Sequence, residues 1–275
     1  MTQQTFEQYV PAFRSPTAEI FKKVEPLLLS IRKDWEERVI SAEATLSDDD
    51  RQRLDAAVAL RSAYLLVPQL DLVLTPTGFG IVNNQNTAPA SPSRVNALRD
   101  QLRQEASLQE DLLKEHLAAM GALRLPLFAV TSLLWTPRLL RTFGVTLQDG
   151  AQIYKEEWPA IQVSLALATD SIMDILSAPL YSALQQSQYQ PLEVDDPNPY
   201  TLLLNDSRRL LAALIQSGRP TDTSQPGVKE QVKHIVDYLE RNAERIPHYL
   251  TSSTHLARKA SPYENKKTDA SFFFG

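Results

Sequence analysis

Ala18-Glu19-Ile20-Phe21-Lys22-Lys23-Val24-Glu25-Pro26 returns, about half the chain later, as Ala151-Gln152-Ile153-Tyr154-Lys155-Glu156-Glu157-Trp158-Pro159. Alanine, isoleucine, lysine and proline hold the same places, and glutamate for glutamine and phenylalanine for tyrosine are mild exchanges. Self-similarity at a fixed offset is the signature of a repeated unit. Each copy opens a run whose apolar residues recur at steps of three and four, the period of one buried helical face. The sequence therefore predicts a helical unit written twice, and a scaffold before an enzyme.

Outward from the first copy, Ile20, Val24, Leu27, Leu28, Ile31, Trp35, Val39 and Ile40 continue the stripe. Pro16 and Thr17 mark its start, and Pro26 should kink or end it, because proline removes a hydrogen bond and clashes with the preceding turn. Phe6, Tyr9, Val10 and Phe13 form an apolar group that could lay the N-terminal segment on the body. Ser47-Asp48-Asp49-Asp50 supplies a cap and negative charge for a second helix through Leu54, Val58, Leu60, Leu65 and Leu66, closed by Pro68. Two β-rich runs, Leu70–Leu74 and Phe79–Val82, flank Thr75-Pro76-Thr77-Gly78 and read as a β-hairpin. Ser91-Pro92 starts a long helix that Gly121 ends.

From the second copy, Ile153, Trp158, Ile161, Leu165, Ile172, Ile175 and Leu176 predict another long helix, interrupted at Pro159 and briefly continued by Pro179 to Leu184. Gln185 to Pro199 reads as a connection, Leu202 to Ile215 as a helix, Gly218 to Gly227 as a loop and Val228 to Leu250 as the last long helix. The fold class is mainly α: duplicated helical-bundle units with one protruding β-hairpin and an extended C-terminal tail. The domains are residues 1–122, with the hairpin at 70–82, then 123–257, then an arm at 258–275. That arm is polar and basic until Ser271-Phe272-Phe273-Phe274-Gly275. Leaving three aromatics in water forgoes ~1.5–3 kcal/mol for each side chain that could be buried. The tail is read either as an anchor docking in trans on another subunit, or as a segment packed in cis.

The 275 residues, 43% hydrophobic and 22% charged, suffice for a sizeable core, and 8 Gly argue against a glycine-rich binding loop. A net charge of −5 gives no general attraction for nucleic acid or acidic lipid. With 0 Cys, disulfides, thiolate metal sites and cysteine nucleophiles are excluded. Met1 to Tyr9 lacks the layout of a signal peptide. Leu125 to Trp135, the most apolar run, is too short to span a bilayer, so no membrane association is expected.

A search for chemistry returns little. His116, His234, His248 and His255 form no metal-binding spacing, and each is read as a surface or capping histidine. Gly78-Phe79-Gly80 is no phosphate loop, and no Gly-x-Ser-x-Gly elbow occurs. Asp48-Asp49-Asp50 is read as cap and dipole partner rather than a cation site, and Trp35, Trp135 and Trp158 as core or interface anchors. No catalytic, cofactor-binding or metal-ligating residue is assigned, and no cofactor is expected.

Leu74-Thr75-Pro76-Thr77-Gly78-Phe79-Gly80-Ile81-Val82-Asn83-Asn84, then Thr87-Ala88-Pro89-Ala90-Ser91 and Arg94-Val95, is similar to the strand–turn–strand segment of a family of uncharacterised proteins. That family is encoded in phages and prophages of Bacteroidetes, within the virion structural gene block. The resemblance implies a non-enzymatic virion protein, analogous to the head–tail connectors that ring the neck beneath the portal. It would assemble in the host cytoplasm as a homo-oligomeric ring, with portal and tail or neck proteins as partners and no sequence-specific nucleic acid. Contact residues would be Thr75, Pro76, Phe79 and Ile81 of the hairpin with Tyr263, Phe272, Phe273 and Phe274 of the arm. The alternative is a non-ring helical adaptor or assembly chaperone that grips one partner through the aromatic tail.

Overall fold

The computed structural model describes residues 1–15, 18–70, 72–75, 78–81, 91–124, 132–189 and 198–260, with 72–75 and 78–81 described by their backbone alone. The fold is mainly helical, and the chain divides into two compact units, Met1–Val163 and Ser164–Gly275.

In the first unit, α1 (Gln3–Tyr9), α2 (Glu19–Asp34), α3 (Asp48–Leu66) and α4 (Pro92–Ala119) build the core. α3 is the central helix and packs chiefly against α4 and α2. Its start is a capping box: Ser47 Oγ accepts from the Asp50 N–H at 3.2 Å while the Asp50 carboxylate accepts from the Ser47 N–H at 3.0 Å. Leu54, Val58, Ala59, Leu60, Ala63 and Leu66 are buried around its circumference, so α3 is a core helix and not a one-sided one. Phe6, Val10 and Phe13 are buried as the pattern of the N-terminal segment predicts, with the Phe6 and Phe13 rings edge to face at 5.9 Å.

Pro26 behaves differently from expectation. α2 runs through it as one helix, and the irregularity comes later, as a single π turn at Trp35–Val39 in which the Ile40 N–H reaches the Trp35 carbonyl at 2.9 Å. Pro26 lies about two turns into α2 and takes one donor from its ladder, and the π turn lets the chain leave at Ile40. There it pairs with the segment after α4: Ser41 N–H to Ala122 O is 2.8 Å and Arg124 N–H to Val39 O is 2.7 Å. α4 ends as its sequence predicts, with Gly121 at φ 67°, the left-handed conformation that favours glycine. Between α3 and α4, β1 (Leu72–Thr75) and β2 (Gly78–Ile81) pair antiparallel, Leu72 opposite Ile81 and Thr75 opposite Gly78.

The segment 132–163, with α5 (Pro137–Thr142), belongs to the first unit and not to the expected 123–257 unit. Side chains of α3 and α4 hold it there, as set out below. The duplication does not survive either. Glu19 to Phe21 are helical, whereas Gln152 forms an isolated bridge with Thr146, Ile153 and Tyr154 lie outside any helix, and α6 (Trp158–Leu176) begins only at Trp158. Pro159 therefore sits in the first turn of its helix, where its missing N–H costs nothing, and interrupts nothing.

α6 is, among the described residues, the one helix long and apolar enough to cross a membrane. Its buried residues Ile161, Leu165, Ala168, Ile172 and Leu176 recur at steps of three and four, the pattern of a helix with one face in a protein core. It stops at Ser177, a non-glycine residue at φ 87°. The second unit continues with α7 (Ala178–Ser187), α8 (Pro199–Gln216), α9 (Pro226–Arg241), α10 (Pro247–Leu250) and α11 (Ser253–Lys259). α8 packs on α7 and α9, and α10 on α7. The long helix expected over 228–250 is thus broken: α9 ends at Arg241, a short 3-10 turn covers Ala243–Arg245, and Pro247 opens α10. Proline disfavours helical backbone at the residue before it, and Ile246 lies outside the helical region there at φ −124°, ψ 78°.

Candidate functional site

Arg61, in the C-terminal half of α3, is buried, and its guanidinium is shared between two carboxylates. Nε and Nη2 donate to the Glu110 carboxylate of α4 at 2.8 and 2.7 Å, and Nη1 donates to Glu156 at 2.5 Å. Burial alone would raise the Glu110 carboxyl, but the paired hydrogen bonds and charge of Arg61 outweigh it and hold Glu110 below the ordinary range. A two-pronged fork of this kind is directional as well as strong, so it fixes the azimuth of α3 against α4.

The same contacts tie down the second nine-residue window. Arg103 of α4 pairs with Glu157, and Glu157 also accepts from the Tyr154 N–H at 2.9 Å. The Tyr154 ring lies beneath two guanidinium groups, Arg103 at 4.4 Å and Arg141 at 4.7 Å from its centroid, and Arg141 donates to the Ile153 carbonyl at 2.5 Å. Upstream, Glu115 accepts from Thr136 at 2.8 Å and pairs with Arg138. Asp111 accepts from the Arg138 N–H at 2.9 Å, and burial pushes its carboxyl up to about 6 despite Lys114 and Arg141 nearby.

These braces shape a recess of about 290 Å³ lined by Asp34, Trp35, Arg38, Val39, Lys114, Trp135, Pro137, Lys155, Trp158 and Pro159. All 3 tryptophans of the chain meet here. The π turn aims Trp35, Arg38 and Val39 into the recess from one side, Trp135 and Pro137 come from the start of α5, and Trp158 and Pro159 from the start of α6. Lys114 Nζ stands 6.0 Å from the Trp35 ring centroid. Asp34 pairs with Arg38 at 3.2 Å, and Lys114 also stands 4.0 Å from Asp111. The lining is mostly apolar and aromatic, with the cations Arg38, Lys114 and Lys155 outnumbering Asp34, and the volume lies at the lower end of the roughly 300–1,000 Å³ of small-molecule pockets.

Of the residues the sequence nominates for contacts, Thr75 closes β1, and Phe79 and Ile81 lie on β2 opposite Leu74 and Leu72. Pro76, Tyr263, Phe272, Phe273 and Phe274 lie outside the described residues. The tryptophans were legible as anchors, but nothing in their separate positions shows that they converge. The histidines are more engaged than a surface reading implies. His116 Nε2 is 2.9 Å from the buried Asp50, His248 Nδ1 is 2.8 Å from Tyr200 Oη, His234 is 3.5 Å from Asp206, and His255 is buried beside Tyr249 with ring centroids 4.9 Å apart. In the second unit Glu240 accepts from Tyr249 and faces His255 and Lys259, while Arg258 donates to Tyr249 at 2.8 Å and to the Ile175 carbonyl at 2.9 Å. This cluster clamps α11 to α9 and α6. No group of three or more histidine, aspartate or glutamate side chains suited to a metal ion occurs among the described residues.

Residues 26–123 match a family of unknown function (DUF6712), which covers less than half of the chain. The matched stretch holds Arg61, Glu110, Trp35 and Lys114, whereas Glu156, Trp135, Lys155 and Trp158 lie beyond it. No curated protein and no solved structure matches the chain.

Proposed function

We propose that the chain is a non-enzymatic structural subunit of a phage virion, a head–tail connector or neck adaptor that assembles as a ring next to the portal. The observation that carries an assembly role is the tryptophan recess. Three indoles gathered over a floor of proline and valine, with a basic rim, form a socket for a partner's side chains, and aromatic-lined pockets of this kind are where interface binding energy concentrates. The phage assignment rests on the resemblance of Leu74 to Val95 to virion-module proteins.

In this reading the β1–β2 pair protrudes as one contact element, through Thr75, Pro76, Phe79 and Ile81, and the arm at 258–275 is the other. Rings arise from unlike faces of one protein meeting around a closed rotation, so a subunit needs both a donor segment and a socket. The protein is built in the host bacterial cytoplasm and incorporated in the virion, with portal and tail or neck proteins as its neighbours.

The test is imaging of the purified protein, alone and mixed with the portal protein encoded beside it, by negative-stain electron microscopy. Closed rings in either sample support the connector reading. Discrete small particles that bind a single partner through the arm and never close would establish the adaptor or chaperone reading in its place.

A further inference from the structure

We infer that the tryptophan recess of the first unit is a binding site for a small aromatic monocarboxylate, its ring held among the indoles and its carboxylate at Lys155. The inference goes beyond the assembly reading, which needs only a partner's side chain in the same place, and oligomer closure can stand or fall without it. The recess is graded from floor to mouth. Trp35, Trp135 and Pro137 are buried, Val39 and Trp158 are half-buried, and Arg38, Lys155 and Pro159 are exposed. An aromatic group entering it meets indole and proline surfaces, with which flat rings pack well. A cavity of roughly 150 Å³ holds one benzene ring, so about 290 Å³ leaves room for a ring and a short acidic arm.

The charge of that arm follows from which lining groups are already engaged. Asp34 and Arg38 pair with each other at 3.2 Å. Lys114 lies 4.0 Å from Asp111 and 6.0 Å from the Trp35 ring centroid. Lys155 makes no ion pair among the described residues, and the carboxylates that follow it in sequence are taken, Glu156 by Arg61 and Arg103 and Glu157 by Arg103. Its field reaches Glu110, but Arg61 holds that carboxylate through two hydrogen bonds. Trp158 and Pro159 open α6, so the positive end of that helix's dipole lies at the same wall. One uncommitted cation at the mouth of an aromatic recess matches one negative charge. A phosphate group, close to doubly charged, brings more charge than this lining neutralises, and a cationic ligand meets Lys155 and Arg38 at the entrance.

The experiment titrates the full chain with phenylacetate, with its neutral amide and with the non-aromatic cyclohexylacetate, by isothermal titration calorimetry. All 3 tryptophans of the chain line the recess, so their fluorescence, excited where these probes are transparent, reports occupancy of the site directly. The proposal expects saturable one-to-one binding of phenylacetate with a matching change in tryptophan emission, and binding of the amide and of cyclohexylacetate weaker by at least about threefold. Lys155→Met should weaken the acid by a similar factor and leave the amide unchanged, with the circular dichroism of the parent, since Lys155 is exposed. No saturable binding up to ~10 mM phenylacetate, where a Kd of ~1 mM would saturate, overturns the proposal. So does equal affinity for acid and amide, or a Lys155→Met chain that binds the acid as the parent does. Closed rings in electron micrographs would in those cases leave the assembly reading standing, whereas saturable, Lys155-dependent binding to a chain that never assembles would remove that reading and keep this one.

Discussion

The two nine-residue windows, 18–26 and 151–159, share their alanine, isoleucine, lysine and proline and differ in everything the fold does with them. The first is helical from Glu19, with Phe21 packed near Phe6 at 6.2 Å and Val24 buried. The second is bent into a turn whose tyrosine lies under two arginines and whose glutamates are held by Arg61 and Arg103. Local propensity is a weak prior that tertiary contacts override. The consequence is spatial: the turn of the second window brings Lys155, and the start of α6 brings Trp158 and Pro159, to the recess.

The largest effect should come from removing the hinge of this arrangement. Arg61→Met leaves Glu110 buried without its partner, and unfolding in urea should show a loss of ~3–5 kcal/mol. The double change Arg61→Met with Glu110→Leu should recover most of that loss, since two apolar groups need no pairing. A double change no more stable than the single one would contradict the assignment of the cost to an unpaired buried charge. Glu157→Ala removes both the Arg103 ion pair and the acceptor for the Tyr154 N–H, and ~1–2 kcal/mol should be lost in the same assay. Gly150, in the turn that leads into the second window, stands at φ 82°. Gly150→Ala should cost ~1 kcal/mol in thermal unfolding. Glu19→Ala in the first window should shift stability by no more than ~0.5 kcal/mol, as is usual for an exposed helical position.

Acidity sharpens the same comparison with opposite signs at adjacent residues. Glu110 is held below its ordinary 4.5, so its contribution is complete above that value and is lost as pH falls through its lower folded pKa. Asp111 moves the other way, from 3.8 to about 6, so the folded state binds the extra proton in that window and stability from this group declines as pH rises toward 6. Asp111→Asn should therefore stabilise the protein more at pH 7 than at pH 5, relative to the parent chain, in urea titrations at the two values. An equal change at both would show that Asp111 does not titrate between them.

Where a local signal carried the structure, the sequence was readable. Ser47 with Asp50 marked a cap that the fold builds, Pro92 and Gly121 bracketed α4, and Phe6, Val10 and Phe13 announced a buried N-terminal segment. Where the outcome depended on distant partners, it was not. Ile153 looked helical because its spacing fits a helix, and only Arg141, fixed by the rest of the unit, takes its carbonyl elsewhere. Pro247 was passed over because Ile246 and Leu250 keep the helical step although the backbone breaks between Arg241 and Pro247. The buried arginine did leave a trace: Ala56-Ala57-Val58-Ala59-Leu60 precedes it without a polar residue, and a charge at the end of such an apolar run is rarely buried without a partner. The convergence of three tryptophans left none, since it depends on how α2, α4, α5 and the start of α6 meet.

The measurement that bears most directly on the account is the mass of the full chain by light scattering across a wide concentration range. The account predicts a defined multiple of the 30.9 kDa chain that persists on dilution and is lost when Phe272, Phe273 and Phe274 are replaced by alanine. A particle of 30.9 kDa at every concentration, alone and with the portal protein, would contradict it.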